Sequence, residues 1–402
     1  MSKSGLSNSR IKRLHQAAEH AVETGELPGV ITLIHRKGET VVEVTGRMDK
    51  DKPKKLARDS IFRIASMSKP ITATAAMILV EEGKLRLDEP VDRLLPELAN
   101  RQVLKDIKGP LDDTVPAHRP ITLRDLLTFR MGFGMMIGPP GDPAPIQQAM
   151  TDRQIMGLKP PTPHAPDEWM KQFGELPLMH QPGEKWMYHT GSDVLGVLVA
   201  RAAGMGFEAF LRARIFEPLG MKDTGFSVSK KQLPRLTTCY SVDPKTQQLQ
   251  AMDEPQTSSW ASPPAFPAGG GGMVSTVDDY LAFGQMMLNG GKLGKERILS
   301  RPTVLAMTTD QMTAEQKAAS PFFPGFWDNR GWGFGLSMIT RRGGVADSPG
   351  RFGWDGAFST SWSSDPAEDM IGILMTQRLG FGPNPAGFFG DFWTLAYQAI
   401  DD

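Results

Sequence analysis

The sequence predicts an α+β fold: an antiparallel sheet flanked by helices, with a mostly helical segment in the middle of the chain. Three observations carry that expectation. An amphipathic helix and a hairpin open the chain, an all-apolar helix stands at 71–80, and strands with short connections close it. Short links between consecutive strands imply antiparallel pairing, and a helix that is apolar on every face must be buried in a large core.

Taken in order, Ser9 to Thr24 carries Ile11, Leu14, Ala17, Ala18 and Val22 on one stripe, which predicts a helix capped by Ser9 and ended by Gly25. Gly29–His35 and Thr40–Thr45 read as strands joined by a turn at Arg36-Lys37-Gly38-Glu39. Ile71–Val80 is the buried helix, with Gly83 as its stop. Leu85–Leu95 and Ile121–Leu127 read as short helical or capped pieces. Between Gly138 and Gly183 prolines and glycines accumulate, as in a lid, a binding loop or a plain surface excursion. Gly191–Gly204 reads as an apolar helix with Tyr188 at its entrance. Gly269-Gly270-Gly271-Gly272 lacks the G-K-[ST] ending of a phosphate loop and is better read as the approach to a helix capped by Ser275 or Thr276. Trp332–Thr340, Trp354–Ser364 and Met370–Gln377 read as three strands, and Phe388–Ile400 as a final helix. This order divides the chain into a discontinuous sheet domain, 1–85 with 266–402, and a helical lobe at 86–265.

Composition narrows the function classes. With 45 basic and 45 acidic residues the formal charge is zero, so no nucleic-acid or membrane-surface partner is expected. Cys239 is the only cysteine, which excludes an intrachain disulfide and a cysteine-rich zinc site. The seven histidines do not cluster at ligand spacing, so neither metal nor cofactor is expected. Met1–Arg13 has no signal-like apolar run, and no stretch reaches the ~18 apolar residues of a membrane span. The expectation is a cytoplasmic protein; oligomeric state is left open.

The chemistry concentrates at Phe62–Ala73, where Ser66 and Lys69 form an S-x-x-K pair. On a helix, i, i+3 spacing sets the amine beside the hydroxyl, and a lysine whose pKa is lowered by burial can take a serine proton. The following helix aims the positive end of its dipole at Ser66. The alternative is an N-cap serine with a solvated lysine, and roughly one or two such matches arise by chance in a chain this long. Ser227-Val228-Ser229-Lys230 has the same spacing but runs into a polar stretch stopped by Pro234, and reads as a surface loop.

The order of landmarks resembles the serine β-lactamase and penicillin-binding-protein superfamily, in its class C-like branch beside the family VIII carboxylesterases. The landmarks are S-x-x-K on a buried helix, L-R-D-L-L-T, P-G-E-x-W-x-Y, G-G-G-x-V-S-T and a W-x-G strand, spread over roughly Ile31 to Gln377. The resemblance implies a serine β-lactamase-like fold with the active site between sheet domain and helical lobe. It implies Ser66 as the acylated nucleophile, Lys69 as its proton acceptor, and Tyr188 sharing the base role and protonating the leaving group. It also implies an oxyanion hole from the Ser66 and Ala357 amides, the latter following Trp354-Asp355-Gly356 in the third motif.

Two departures from the family pattern shape the expected substrate. Tyr188-His189-Thr190 lacks the asparagine of Y-x-N, so its contacts fall to Thr190, Ser192 or Asp193, or are absent. Trp354 stands where β-lactamases and peptidases carry a cation, and Asp355 adds negative charge, which disfavours an anionic substrate. The expectation is a small neutral ester held by Trp354, Asp355, Gly356 and Thr190, with Phe133, Met135 and Met136 either lining the pocket or packing in the core. Rival readings on the same serine are a β-lactamase or D-amino-acid peptidase, and an acyltransferase; a non-catalytic binding homologue is the rival of another class.

Overall fold

The computed structural model describes residues 4–136, 143–155, 161–320, 322–380 and 387–402. Its centre is a seven-stranded antiparallel sheet. The strands are β1 (Gly29–Arg36), β2 (Glu39–Gly46), β3 (Arg330–Trp332), β4 (Ser337–Ile339), β5 (Phe352–Gly356), β6 (Thr360–Asp365) and β7 (Met370–Met375), in the order β3-β4-β5-β6-β7-β1-β2. β1 pairs with both β2 and β7 and is buried along its whole length. A strand covered on both faces needs apolar residues at successive positions, which is why it shows no polar alternation.

The two faces sort the side chains with period two. Val30 and Ile34 of β1 and Met370 and Leu374 of β7 meet α1 (Asn8–Glu23) and the C-terminal helix (Gly387–Gln398). Ile31, Leu33, Ile371 and Ile373 meet the opposite core, which holds α2 (Ser68–Glu81) and contributes Tyr280 and Phe283 from the helix Val277–Leu288. That cluster continues without a break into the middle of the chain, through Leu126, Trp169 and Leu198.

Several expectations need correction. The cap position of α1 is Ser7, with Ser9 inside the first turn. The hairpin turn is only Lys37-Gly38, both at positive φ (48° and 82°), as a two-residue turn of matching twist requires. The three closing strands are five. Trp332–Thr340 is broken at Gly333–Leu336, where a side chain on Gly333 would strike the Met307 carbonyl, and Trp354–Ser364 folds back through Ala357–Ser359. Beside its helices, the middle of the chain holds two short strand pairs, Gln102–Leu104 with Thr114–Pro116 and Cys239–Val242 with Leu249–Asp253. The Pro/Gly-rich stretch Gly138–Gly183 contains helices at Pro145–Asp152 and Pro166–Gly174, while 137–142 and 156–160 lie outside the described residues. Leu85–Leu95 forms turns.

α2 is buried from Ser68 to Leu79 and ends where Gly83 takes φ +69°. It packs against the helix Thr190–Ala203, here α3. Among the described residues no single helix is long and apolar enough to cross a membrane.

Candidate active site

Ser66 sits on a single 3-10 turn, Ala65–Met67, between the short strand Phe62–Arg63 and α2. Both flanks are pinned. Phe62–Arg63 pairs with Val274–Ser275, and the fully buried Arg63 guanidinium donates to the Thr237 carbonyl at 2.6 Å and pairs with Asp253. On the helix side, the Tyr280 hydroxyl donates to the Met67 carbonyl at 2.8 Å. The turn is tight enough to push Ala65 to φ +43°, a region that costs a non-glycine residue on the order of 1 kcal/mol or more.

Lys69 is completely buried, with Nζ 2.9 Å from Ser66 Oγ. Burial pulls its pKa from 10.5 down to about 7, against the opposing pull of the Asp193 carboxylate. The amine also donates to the Gly270 carbonyl and lies 3.0 Å from His189 Nδ1 and 4.5 Å from the Tyr188 ring centroid. The glycine-rich segment thus supplies a carbonyl to the lysine and leads into a helix capped by Thr276, whose hydroxyl accepts from the Asp279 amide at 3.2 Å. The second S-x-x-K copy is a surface turn with Lys230 exposed.

Tyr188 is buried and hydrogen-bonded to Ser66. Its hydroxyl oxygen accepts from Trp354 Nε1 at 2.7 Å. Burial raises its pKa, so the phenol keeps its proton. The Tyr188 hydroxyl thus stands between the Trp354 indole and Ser66.

Trp354 is therefore more than an apolar wall: its indole N–H tethers the tyrosine hydroxyl. Asp355, its neighbour on β5, faces the other side of the sheet. There its carboxylate accepts from Ser361 Oγ at 2.6 Å, and Ser361 in turn accepts from Trp393 at 3.1 Å. Burial raises its pKa, with Arg330 and Ser361 opposing. Asp355 also borders a cleft shared with Tyr188 and Trp354. Gly356 has to be glycine, since a Cβ there would lie 2.4 Å from the Ile64 carbonyl and 2.1 Å from Thr360 Oγ1. That close approach sets the half-buried Ala357 beside the turn that carries Ser66.

Of the remaining expected contacts, Phe133 is displaced: it is 1% exposed and meets Phe173 edge to face at 4.9 Å in the main core. Met136 packs against that core as well. Met135 is half-buried on the aromatic cluster around Tyr188, and its N–H donates to the Tyr188 carbonyl at 2.9 Å. Thr190 is buried at the first position of α3.

Two residues escaped the sequence reading. His189 reaches Lys69 because its backbone stands at φ 87°, ψ −66°, a strained conformation for a non-glycine residue. The available signal was its place inside the altered Y-x-N motif, four residues before Asp193 on a helix. Arg330 is the other. It lines a cleft of about 280 Å³ with Tyr188, Trp354, Phe322 and Phe326, and burial lowers its pKa while Asp355 opposes. A second cleft, of about 330 Å³, borders His189 and Asp193 and is walled by Trp169, Trp260 and Phe266.

This sheet, with a serine and a buried lysine at its junction with a helical segment, defines a serine β-lactamase-like architecture, and the chain belongs to the beta-lactamase family, whose sequence profile matches residues 14–387. Within that family it is 38% identical to protein Rv1367c of Mycobacterium tuberculosis over 89% of this chain and 87% of the relative. It is 29% identical to the esterase EstB of Burkholderia gladioli over 90% and 89%. Among solved structures, EstCE1, described as a hydrolase with promiscuous acyltransferase activity, superposes with a TM-score of 0.76 at 23% identity over 98% of this chain and 99% of its own.

Proposed function

We propose that this protein is a serine hydrolase that cleaves small neutral carboxylic esters through an acyl-enzyme on Ser66. One observation carries the reading: Ser66 lies between a buried lysine 2.9 Å away, whose pKa falls to about 7, and a buried tyrosine hydrogen-bonded to it. Neutral Lys69 takes the Ser66 proton as the hydroxyl attacks the ester carbonyl. The Ser66 and Ala357 amides receive the oxyanion, each such donor contributing on the order of 3 kcal/mol in the transition state. Tyr188 passes its proton to the leaving alcohol, and water activated by Tyr188 and Lys69 then releases the acyl group. The wall of Phe322, Phe326 and Trp354 suits an apolar group, and the esterase relative supports the ester as substrate.

A second reading rests on Arg330. A cationic side chain in the cleft wall is what a carboxylate-bearing β-lactam or peptide needs, although the nearby Asp355 offsets its charge. Paired turnover of p-nitrophenyl butyrate and nitrocefin under identical conditions separates the two. Fast ester cleavage with little nitrocefin turnover is expected. Comparable rates on both would overturn the ester reading in favour of the second.

The tryptophan supplies its own prediction. Trp354→Phe removes the indole donor while keeping an aromatic ring, so the Tyr188 oxygen loses the bond that holds it in place beside Ser66. A roughly 10-fold fall in kcat with a small change in KM is expected, the size of one hydrogen bond near 1.4 kcal/mol. A change confined to KM would reduce Trp354 to a pocket wall.

A further inference from the structure

The lysine belongs to a closed ring of hydrogen bonds. Lys69 Nζ faces His189 Nδ1 at 3.0 Å, His189 Nε2 lies 3.2 Å from Asp193 Oδ2, Asp193 Oδ1 accepts from the Gly270 N–H at 2.8 Å, and the Gly270 carbonyl accepts from Lys69. Lys69 is fully buried and Asp193 nearly so, His189 keeps 18% of its side chain exposed at the larger cleft, and a Cβ on Gly270 would lie 2.9 Å from His189 Cε1 and 3.0 Å from Asp193 Oδ1. The ionisable groups bonded to the imidazole are Lys69 and Asp193, with the Tyr188 ring 6.0 Å away.

We propose that His189 and Asp193 are positioning residues that fix which way the Lys69 lone pair points. Asp193 is an acceptor only, so it holds the proton on Nε2 and leaves Nδ1 as an acceptor. A neutral amine has two hydrogens and one lone pair. Nδ1 and the Gly270 carbonyl take the two hydrogens, and the lone pair is left for the Ser66 proton. After that proton arrives, the ammonium keeps both bonds. The inference rests on the reading of Ser66 as nucleophile.

The ring makes an ordering that a purely structural role would not. With asparagine at position 193, the side-chain oxygen is claimed by the Gly270 N–H, so the amide NH₂ must face His189 Nε2. That forces the proton onto Nδ1, aimed at Lys69, and the lone pair turns away from Ser66. Asp193→Ala frees both tautomers instead. The rate of Ser66 labelling by a fluorophosphonate is therefore expected to fall roughly 100-fold or more in Asp193→Asn and only about 10-fold in Asp193→Ala. For simple packing the near-isosteric asparagine would be the milder change. Equal or milder loss in Asp193→Asn overturns the ring's role while leaving the hydrolase reading intact; absence of labelling in the wild type overturns both. Nitrogen-15 NMR of the wild type, with the His189 signal assigned by its loss in His189→Gln, gives a check that needs no stable Asp193 variant. Neutral imidazole protonated on Nε2 is expected, and protonation on Nδ1 overturns the proposal.

Discussion

Lys69→Met is expected to lower kcat/KM for p-nitrophenyl butyrate by about 10⁴-fold, the upper range of a general base, while changing the pH dependence of stability in the opposite sense from a damaging mutation. The methionine fills nearly the same volume in a fully buried site but cannot take the Ser66 proton. The wild-type amine carries a pKa near 10.5 in the unfolded chain and about 7 in the folded one. Between those values the unfolded chain binds one more proton, so native stability rises with pH across the window. Above about 10.5 the penalty is gone; below about 7 it is complete, on the order of 5 kcal/mol. Lys69→Met removes that slope, so its stability should gain on the wild type as the pH is lowered from 10 to 7. Chemical denaturation at both pH values checks it; parallel curves would mean that the lysine stays charged in the fold. In wild-type activity the same titration should appear as a limb near pH 7, with the active form on the alkaline side.

Ser66→Ala is the second large effect. Loss of the nucleophile should reduce turnover by roughly 10⁴-fold to 10⁶-fold and abolish the fluorophosphonate adduct seen by intact-protein mass spectrometry. Lys69 keeps its bonds to His189 and Gly270, so the melting temperature should hardly move. An adduct that persisted in Ser66→Ala would place the nucleophile elsewhere.

Much of the site was readable because it is local. The i, i+3 pairing of Ser66 with Lys69, the burial of α2 and the Thr276 cap depend on neighbours in sequence, and periodicity encodes them directly. His189 was not readable in the same way. Its contact with Lys69 needs a positive φ that histidine rarely adopts, and a glycine 81 positions later whose missing side chain leaves room for the ring. Phe133 and Met135 show a different limit: hydrophobicity says that a residue is buried but not against which wall. The strand count failed because Gly333–Leu336 and Ala357–Ser359 turn without the Asn-Gly or proline signals that punctuate a hairpin.

The sheet order carries a consequence for biosynthesis. β1, near the start, is sandwiched by β7, with Ile31 opposite Met375, and β5 and β6 must be in place before Ala357 stands beside Ser66. A nascent chain that has already delivered the nucleophile and its lysine lacks the enclosure that depresses the amine, which stays an ordinary surface-like cation. Such high contact order delays closure until translation is nearly finished, and activity should emerge together with the last native contacts. Recovery of hydrolysis during refolding would then report completion of the whole sheet, and an incomplete chain would be catalytically silent.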